Sequence, residues 1–343
     1  MRPAGDSTPA SRAVRSPTAA IDPETLHWLL DSDPALRWQV LRDLADAPPA
    51  DVARERARVA AEGFGARLLA LQAADGRWGG VAWNRGWSST MHALILLREF
   101  GIEAADPRVQ AAVARVRDHV TWTGCAPPEC DGNAFFAGEV EPCINGQVAA
   151  AGAYFGQDVD GLVARLLGEQ LADGGWNCEA EFGSTRSSFN TTICVLESLL
   201  EYERRFGPRA DVGTARARGH EYLLQRRLFR RLSTGEAIEY DRKIAPERRT
   251  GPPSWSRFAF PAWWHYDLLR ALDHLREAGV APDARVDEAV GVVAAARGAD
   301  GRWRLGAVHR GEMLLDLGET EGAQSRWITF RAMRVLRWHA AHR

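Results

Sequence analysis

Apolar residues recur at helical spacing along almost the whole chain, and no window alternates with period two for long. The pattern predicts helices and essentially no sheet. Pro23 to Leu30 and Pro34 to Ala45 form a first pair, with Asp33 as N-cap and Pro34 in the first helical position. A long helix over Asp51 to Gln72 and another from Ser88 or Ser89 form a second. The third joins a helix from Asp106-Pro107 through Val120 to the small-residue helix NGQVAAAGAYFG, ended by Gly156. Asp158 to Leu171 pairs with Ser187 to Phe206, Val212 to Arg231 with Trp263 to Ala278, and Ala284 to Arg297 with Ser325 to Ala341.

Three of these pairs share a turn: Asp75-Gly76-Arg77-Trp78, Asp173-Gly174-Gly175-Trp176 and Asp300-Gly301-Arg302-Trp303. Each precedes a polar loop and an apolar helix, so helix, turn, loop, helix is the repeating unit. Long connections fall inside the pairs and short ones between them. Six such hairpins predict an all-α fold, an α/α toroid of two concentric helix layers with the second helix of each pair inside. An open solenoid is the alternative. In the toroid the N-terminal ends of the inner helices converge on a central cavity. Residues 1–21 read as a disordered tail and residues 22–343 as a single toroid domain.

Charge and cysteine usage narrow the function classes. Lys plus Arg (43) nearly balances Asp plus Glu (45) over 343 residues, a formal charge of −2, which leaves no global basic field for nucleic acid. Nearly all the cations are Arg, Lys243 being the only Lys. No run approaches the roughly 18 to 20 apolar residues of a membrane span, and the first twenty residues hold no signal-peptide core. Five Cys, an odd number and too few for a disulfide scaffold, fit a reducing cytoplasm in which thiols stay free or bind metal. No phosphate loop, dinucleotide fingerprint, nucleophile elbow or H-E-x-x-H helix is present. The pattern fixes no oligomeric state.

With Gln72 and Gln170 ahead of two of the turns (LQAADGRW, EQLADGGW), the chain resembles the Gln-Trp repeats of squalene and oxidosqualene cyclases and of protein prenyltransferase β subunits. The likeness is dispersed over residues 24–341. It implies the toroid, a central cavity for an isoprenoid or other apolar ligand, and a terpenoid-processing enzyme. Cyclases that protonate an alkene carry a D-x-D-D segment at an inner-helix terminus, and this chain has none. Ser88-Ser89-Thr90 and Asn190-Thr191-Thr192 stand at the corresponding places. The nearest carboxylate is Asp267, a catalytic candidate in a position that commonly serves a helix's first turn. Prenyltransferases hold zinc through Asp, Cys and His at such termini. That makes Cys130, Cys143, Cys178 and His265 the candidate ligands, with Cys143 and His265 also catalytic candidates, and zinc the one cofactor suggested.

Trp83, Trp87, Phe189, Asn190, Trp263, Trp264, Tyr266 and Trp327 are the expected pocket lining, since aromatic faces suit an apolar ligand and steady a carbocation. Cys194 reads as core and His92 as a packing residue. The densest cationic region is Arg226, Arg227, Arg230 and Arg231 with the loop Arg242 to Arg257, suited to a diphosphate or carboxylate. Two other functions fit the same residues: a zinc-dependent transferase or lyase, and a toroid without catalysis that serves as a binding or scaffold module.

Overall fold

The three D-G-x-W turns fold alike. Each glycine sits at positive φ (84° at Gly76, 96° at Gly174, 79° at Gly301), a conformation that glycine adopts without steric cost. Each tryptophan is fully buried, and its indole N–H donates to the carbonyl ten residues earlier: Trp78 to Leu68 at 2.7 Å, Trp176 to Leu166 at 2.6 Å, Trp303 to Val293 at 2.7 Å. Its backbone N–H donates to a threonine hydroxyl on the following helix, at Thr90, Thr192 and Thr329 (3.2, 3.0 and 2.9 Å). The turn thus ties the end of one helix to the start of the next. Gln72 and Gln170 reach further, each donating both to the turn glycine's carbonyl and to the next hairpin, at Ala112 and Ala215. In the third repeat Arg297 takes the glutamine's place and donates to Gly301 O at 3.0 Å.

This computed structural model describes residues 21–124, 130–238 and 254–343. The tail expected over residues 1–20 lies outside them, as does most of the loop from Arg242. Ile21, the last residue of the expected tail, packs against the core. The chain is all-α, and among the described residues only isolated bridges and no strands form.

The hairpins run in order. Helix α1 (Pro23–Leu30) pairs with α2 (Pro34–Asp43); α3 (Pro49–Ala57) and α4 (Gly63–Ala70) precede α5 (Thr90–Glu99); α6 (Pro107–His119) pairs with α7 (Pro142–Tyr154). Then come α8 (Asp160–Gly168) with α9 (Phe189–Phe206), α10 (Ala210–Gln225) with α11 (Leu268–Glu277), and α12 (Asp287–Ala295) with α13 (Arg326–Ala340). The second helices are the buried ones: every residue of α7 from Pro142 to Ala153 is buried, against three of the nine in α8. Along the chain α5 packs on α7, α7 on α9 and α11 on α13. Helix α13 returns to α2, where Arg334 pairs with Asp43 at 3.1 Å and Arg337 with Asp46 at 2.6 Å.

Three of the expected helices differ from the sequence pattern, and the one expected over Val212 to Arg231 stops at Gln225, with Arg227 and Leu228 at positive φ (46° and 69°) beyond it. The long helix expected over Asp51 to Gln72 is broken, because Gly63 turns at φ 64° and the Asp33 carboxylate accepts the Phe64 N–H at 2.9 Å. The helix expected from Trp263 begins only at Leu268. Asp267 is its N-cap, and Trp263 stands at φ 53° in the turn before it.

The second helices carry a buried ionic layer between them. Arg270 of α11 and Glu197 of α9 form a two-pronged pair at 2.7 and 2.8 Å, Arg98 of α5 approaches Glu197 and Glu201 at 3.6 Å, and Arg334 also meets Asp273. Burial opposes ionisation of Glu197, yet the charges and hydrogen bonds of Arg270, with Arg98, hold its carboxyl down at about 2.

Candidate functional site

A cavity of about 920 Å³ opens at the N-terminal ends of α7, α9 and α11, under the loops that lead into α5 and α13. That is a volume at the upper end of the range for small-molecule pockets. Its position follows from the repeat, because each turn, loop and helix start brings polar backbone and side chains to the same end of the bundle.

On one wall stand Glu141, the residue before α7, Cys143 in its first turn, and Cys178 in the 3₁₀ helix Cys178–Phe182. A carboxylate oxygen and the two sulfurs lie within 4.8 Å of one another, the Cys143 thiol donating towards Glu141 Oε2 at 3.6 Å. Both thiols are free, and Cys178 Sγ also meets Thr191 Oγ1 at 3.4 Å. The neighbouring Cys178 thiol and burial push the Cys143 pKa well above its ordinary value. Three electron-rich groups thus share one point, where any second negative charge is costly unless a cation joins them.

His265 lines the same cavity but is not in this set. Its ring lies between Trp264 (centroids 3.7 Å) and His309 (3.5 Å, nearly parallel), and its Nδ1 is buried without a hydrogen-bond partner. Burial and the adjacent His309 lower its pKa to about 2, so the ring is neutral at physiological pH and too weak a base to take a proton. Asp267 also lines the cavity, but each of its oxygens already accepts a backbone N–H, Oδ2 from Ala259 at 3.1 Å and Oδ1 from Arg270 at 2.7 Å. Cys130 is disulfide-bonded and is not in the cluster, contrary to its reading as a zinc ligand and to the expectation of thiols that stay free or bind metal; Cys125, in the same loop, lies outside the described residues.

Of the expected lining, Trp83, Trp87, Asn190, Trp264 and Tyr266 face the cavity, and Trp255 joins them. Asn190 Oδ1 accepts the Tyr266 N–H at 2.7 Å, which holds the turn before α11 against α9. The other three aromatics pack behind the wall. Phe189 supports Trp255 and Tyr266, Trp263 stacks on Trp87 at 5.2 Å, and Trp327 stacks on Phe260 at 4.1 Å. Cys194 is core as expected, and His92 is buried with Nδ1 against Ser89 Oγ at 2.7 Å.

Glu141 was the residue missed by sequence reasoning. Its signal was available: a carboxylate two residues before a cysteine at a helix start, with Pro142 between them in the first helical turn. In the expected basic region, Arg226 covers the Tyr222 ring and approaches Asp173 at 3.6 Å, and Arg230 pairs with Glu288 at 2.7 Å, while most of the loop from Arg242 lies outside the described residues.

Neither a protein-family model nor a curated protein matches this chain. Among the described residues no helix is long and apolar enough to cross a membrane.

Proposed function

We propose that the chain is an α/α-toroid enzyme that takes a largely apolar ligand, isoprenoid in class, into its central cavity and acts on it with a zinc ion held by Glu141, Cys143 and Cys178. The observation that carries this reading is the convergence of one carboxylate and two thiols within 4.8 Å on the wall of that cavity. Two sulfurs and one oxygen would suit zinc, and a set of three protein ligands is the number common in catalytic sites, where structural sites use four. Bound there, the metal supplies Lewis acidity and lowers the pKa of a thiol or water presented by the ligand.

The residues around it have separable tasks. Trp83, Trp87, Trp255 and Trp264 offer aromatic faces to an apolar chain, and the unpartnered His265 Nδ1 meets a polar group of the ligand. Asp267 and Asn190 fix the turn that presents Trp264 and His265. The absence of D-x-D-D and the backbone N–H groups that both Asp267 oxygens accept speak against alkene protonation. The return of α13 to α2 supports closure of the ring.

Metal analysis tests the proposal. Protein purified with zinc in the medium is expected to hold about one zinc per chain, and the paired substitution Cys143→Ser, Cys178→Ser to lose it while the helical circular dichroism stays. Quenching of tryptophan fluorescence by farnesol reports the cavity. Wild-type protein without stoichiometric metal would overturn the zinc assignment, and no response to farnesol the ligand class.

A further inference from the structure

The cavity lining includes three guanidiniums that form no ion pair among the described residues. Arg85, Arg186 and Arg310 all line the cavity and are exposed, and none of the three guanidinium groups makes a hydrogen bond or ion pair among the described residues, although the Arg186 carbonyl accepts from Asn177 Nδ2 at 2.7 Å. The fourth arginine of the lining behaves otherwise, Arg257 pairing with Glu321 at 2.5 Å and donating to Gly306 O at 2.8 Å. Most arginines elsewhere are likewise spent on partners, from Arg108 with Asp106 to Arg285 with Glu221.

The placement of the three follows the repeat. Arg85 and Arg310 each stand seven residues after a turn tryptophan, Trp78 and Trp303, and Arg186 stands ten after Trp176. Each comes from a different D-G-x-W loop, so three separate segments deliver one free cation apiece to one opening. Arginines that merely solvate a surface have no reason to converge in this way. Below them the lining turns aromatic, with Trp83, Trp87, Trp255 and Trp264.

We infer that the ligand is an amphiphile whose oxyanion head, a carboxylate or a phosphate, is held at the mouth by Arg85, Arg186 and Arg310 while its apolar tail enters the cavity. The inference rests on the reading of the cavity as an apolar-ligand site, and adds to it the charge and orientation of the ligand. Guanidiniums match both heads, because their N–H groups point in parallel at paired oxygens. Glu141, Glu179 and Asp267 line the same cavity, so the head is kept to the rim and the tail end is the one that approaches the thiol pair.

The test compares three ligands of equal tail, decanoate, decyl phosphate and decanol, by calorimetry on the full chain. Either or both anions are expected to bind about tenfold or more tightly than decanol, an advantage that shrinks with added salt, and the tighter one identifies the head. The triple substitution R85Q/R186Q/R310Q is expected to abolish that advantage and to leave decanol affinity unchanged. Because all three residues are exposed, the variant keeps its fold, which circular dichroism checks. Equal binding of anions and decanol, or an advantage that survives the triple substitution, would overturn the inference and leave the apolar cavity standing. Failure of all three ligands to bind would overturn both.

Discussion

Arg270 joins the ionic layer to the cavity, and replacing it with Met measures how much that joint carries. Its Nε and Nη2 clamp Glu197 at 2.7 and 2.8 Å, while Nη1 donates to the carbonyls of Trp263 and His265 at 2.9 and 2.7 Å. Removing one partner of a buried pair leaves an uncompensated charge, at a cost of about 3–5 kcal/mol. Arg98, at 3.6 Å, is the charge left beside Glu197. With a urea slope near the upper end of about 1–3 kcal/mol/M, the midpoint of R270M is expected to fall by more than about 1 M. Fluorescence and circular dichroism should be followed together, so that a local loosening of the Trp264 and His265 turn is separated from global unfolding. Two controls sharpen the test. The double variant E197L/R270M, which exchanges the pair for apolar groups, is expected to recover most of the loss. The penalty in R270M is also expected to shrink towards pH 5, since burial without Arg270 favours a protonated Glu197. A single-variant cost below about 1 kcal/mol, or a double variant no better than R270M, would refute the role assigned to the pair.

Two further outcomes follow from the fold. Thr192→Val strips the acceptor from the buried Trp176 N–H and is expected to cost about 1–3 kcal/mol in thermal or urea unfolding, with Thr192→Ser close to wild type; equal stability of all three proteins counts against the repeat's hydrogen bond. Burial pulls the pKa of His92 to about 3, of His220 to about 2 and of His274 to about 4, from 6.5 when unfolded. Below pH 6.5 the unfolded chain therefore binds protons that the native chain does not. The stability from these neutral rings is fully present above that pH and declines as pH falls towards 4, by up to about 1.4 kcal/mol per unit for each ring. Urea midpoints at pH 7.5 and pH 5 check the sign, and a flat or rising midpoint on acidification would contradict it.

The sequence made the hairpins and their turns legible because their signals are local. Asp33 and Asp106 cap their helices as the Asp-Pro pairs indicate, and Ser188 and Ser325 accept the N–H groups of Thr191 and Ile328. The start of α11 was misplaced because the aromatic run ahead of Asp267 reads as helix. The cap role of Asp267 depends on the Arg270 and Ala259 N–H groups that its oxygens accept, the second of which comes from a loop eight residues away. The ionic layer was illegible for a different reason: Glu197, Arg270, Asp273 and Arg334 sit at spacings that in one helix look like a solvated face, and only packing of several helices turns them inward. The site was half legible. Cys143, Cys178 and His265 were all recognised as inner-helix or turn residues, but which of them share a point depends on where the loop carrying Cys178 comes to rest.

That loop decides between two chemistries for the cavity. Acid catalysis on an alkene needs a carboxylic acid with a free proton aimed at the ligand. Asp267 has the burial for it, which raises its pKa, but backbone N–H groups of Ala259 and Arg270 take both oxygens, and protonation would loosen the α11 cap that places Trp264 and His265. Nucleophilic attack by Cys143 is disfavoured in turn, since Cys178 and burial keep its proton on. A cation held by Glu141, Cys143 and Cys178 would reverse that balance, since it would favour loss of the thiol protons that Cys178 and burial now keep on Cys143. The groups that keep the Cys143 proton on are thus the ones that suit a metal, and the zinc content of the wild-type protein set against that of the Cys143→Ser, Cys178→Ser variant is where the two accounts part.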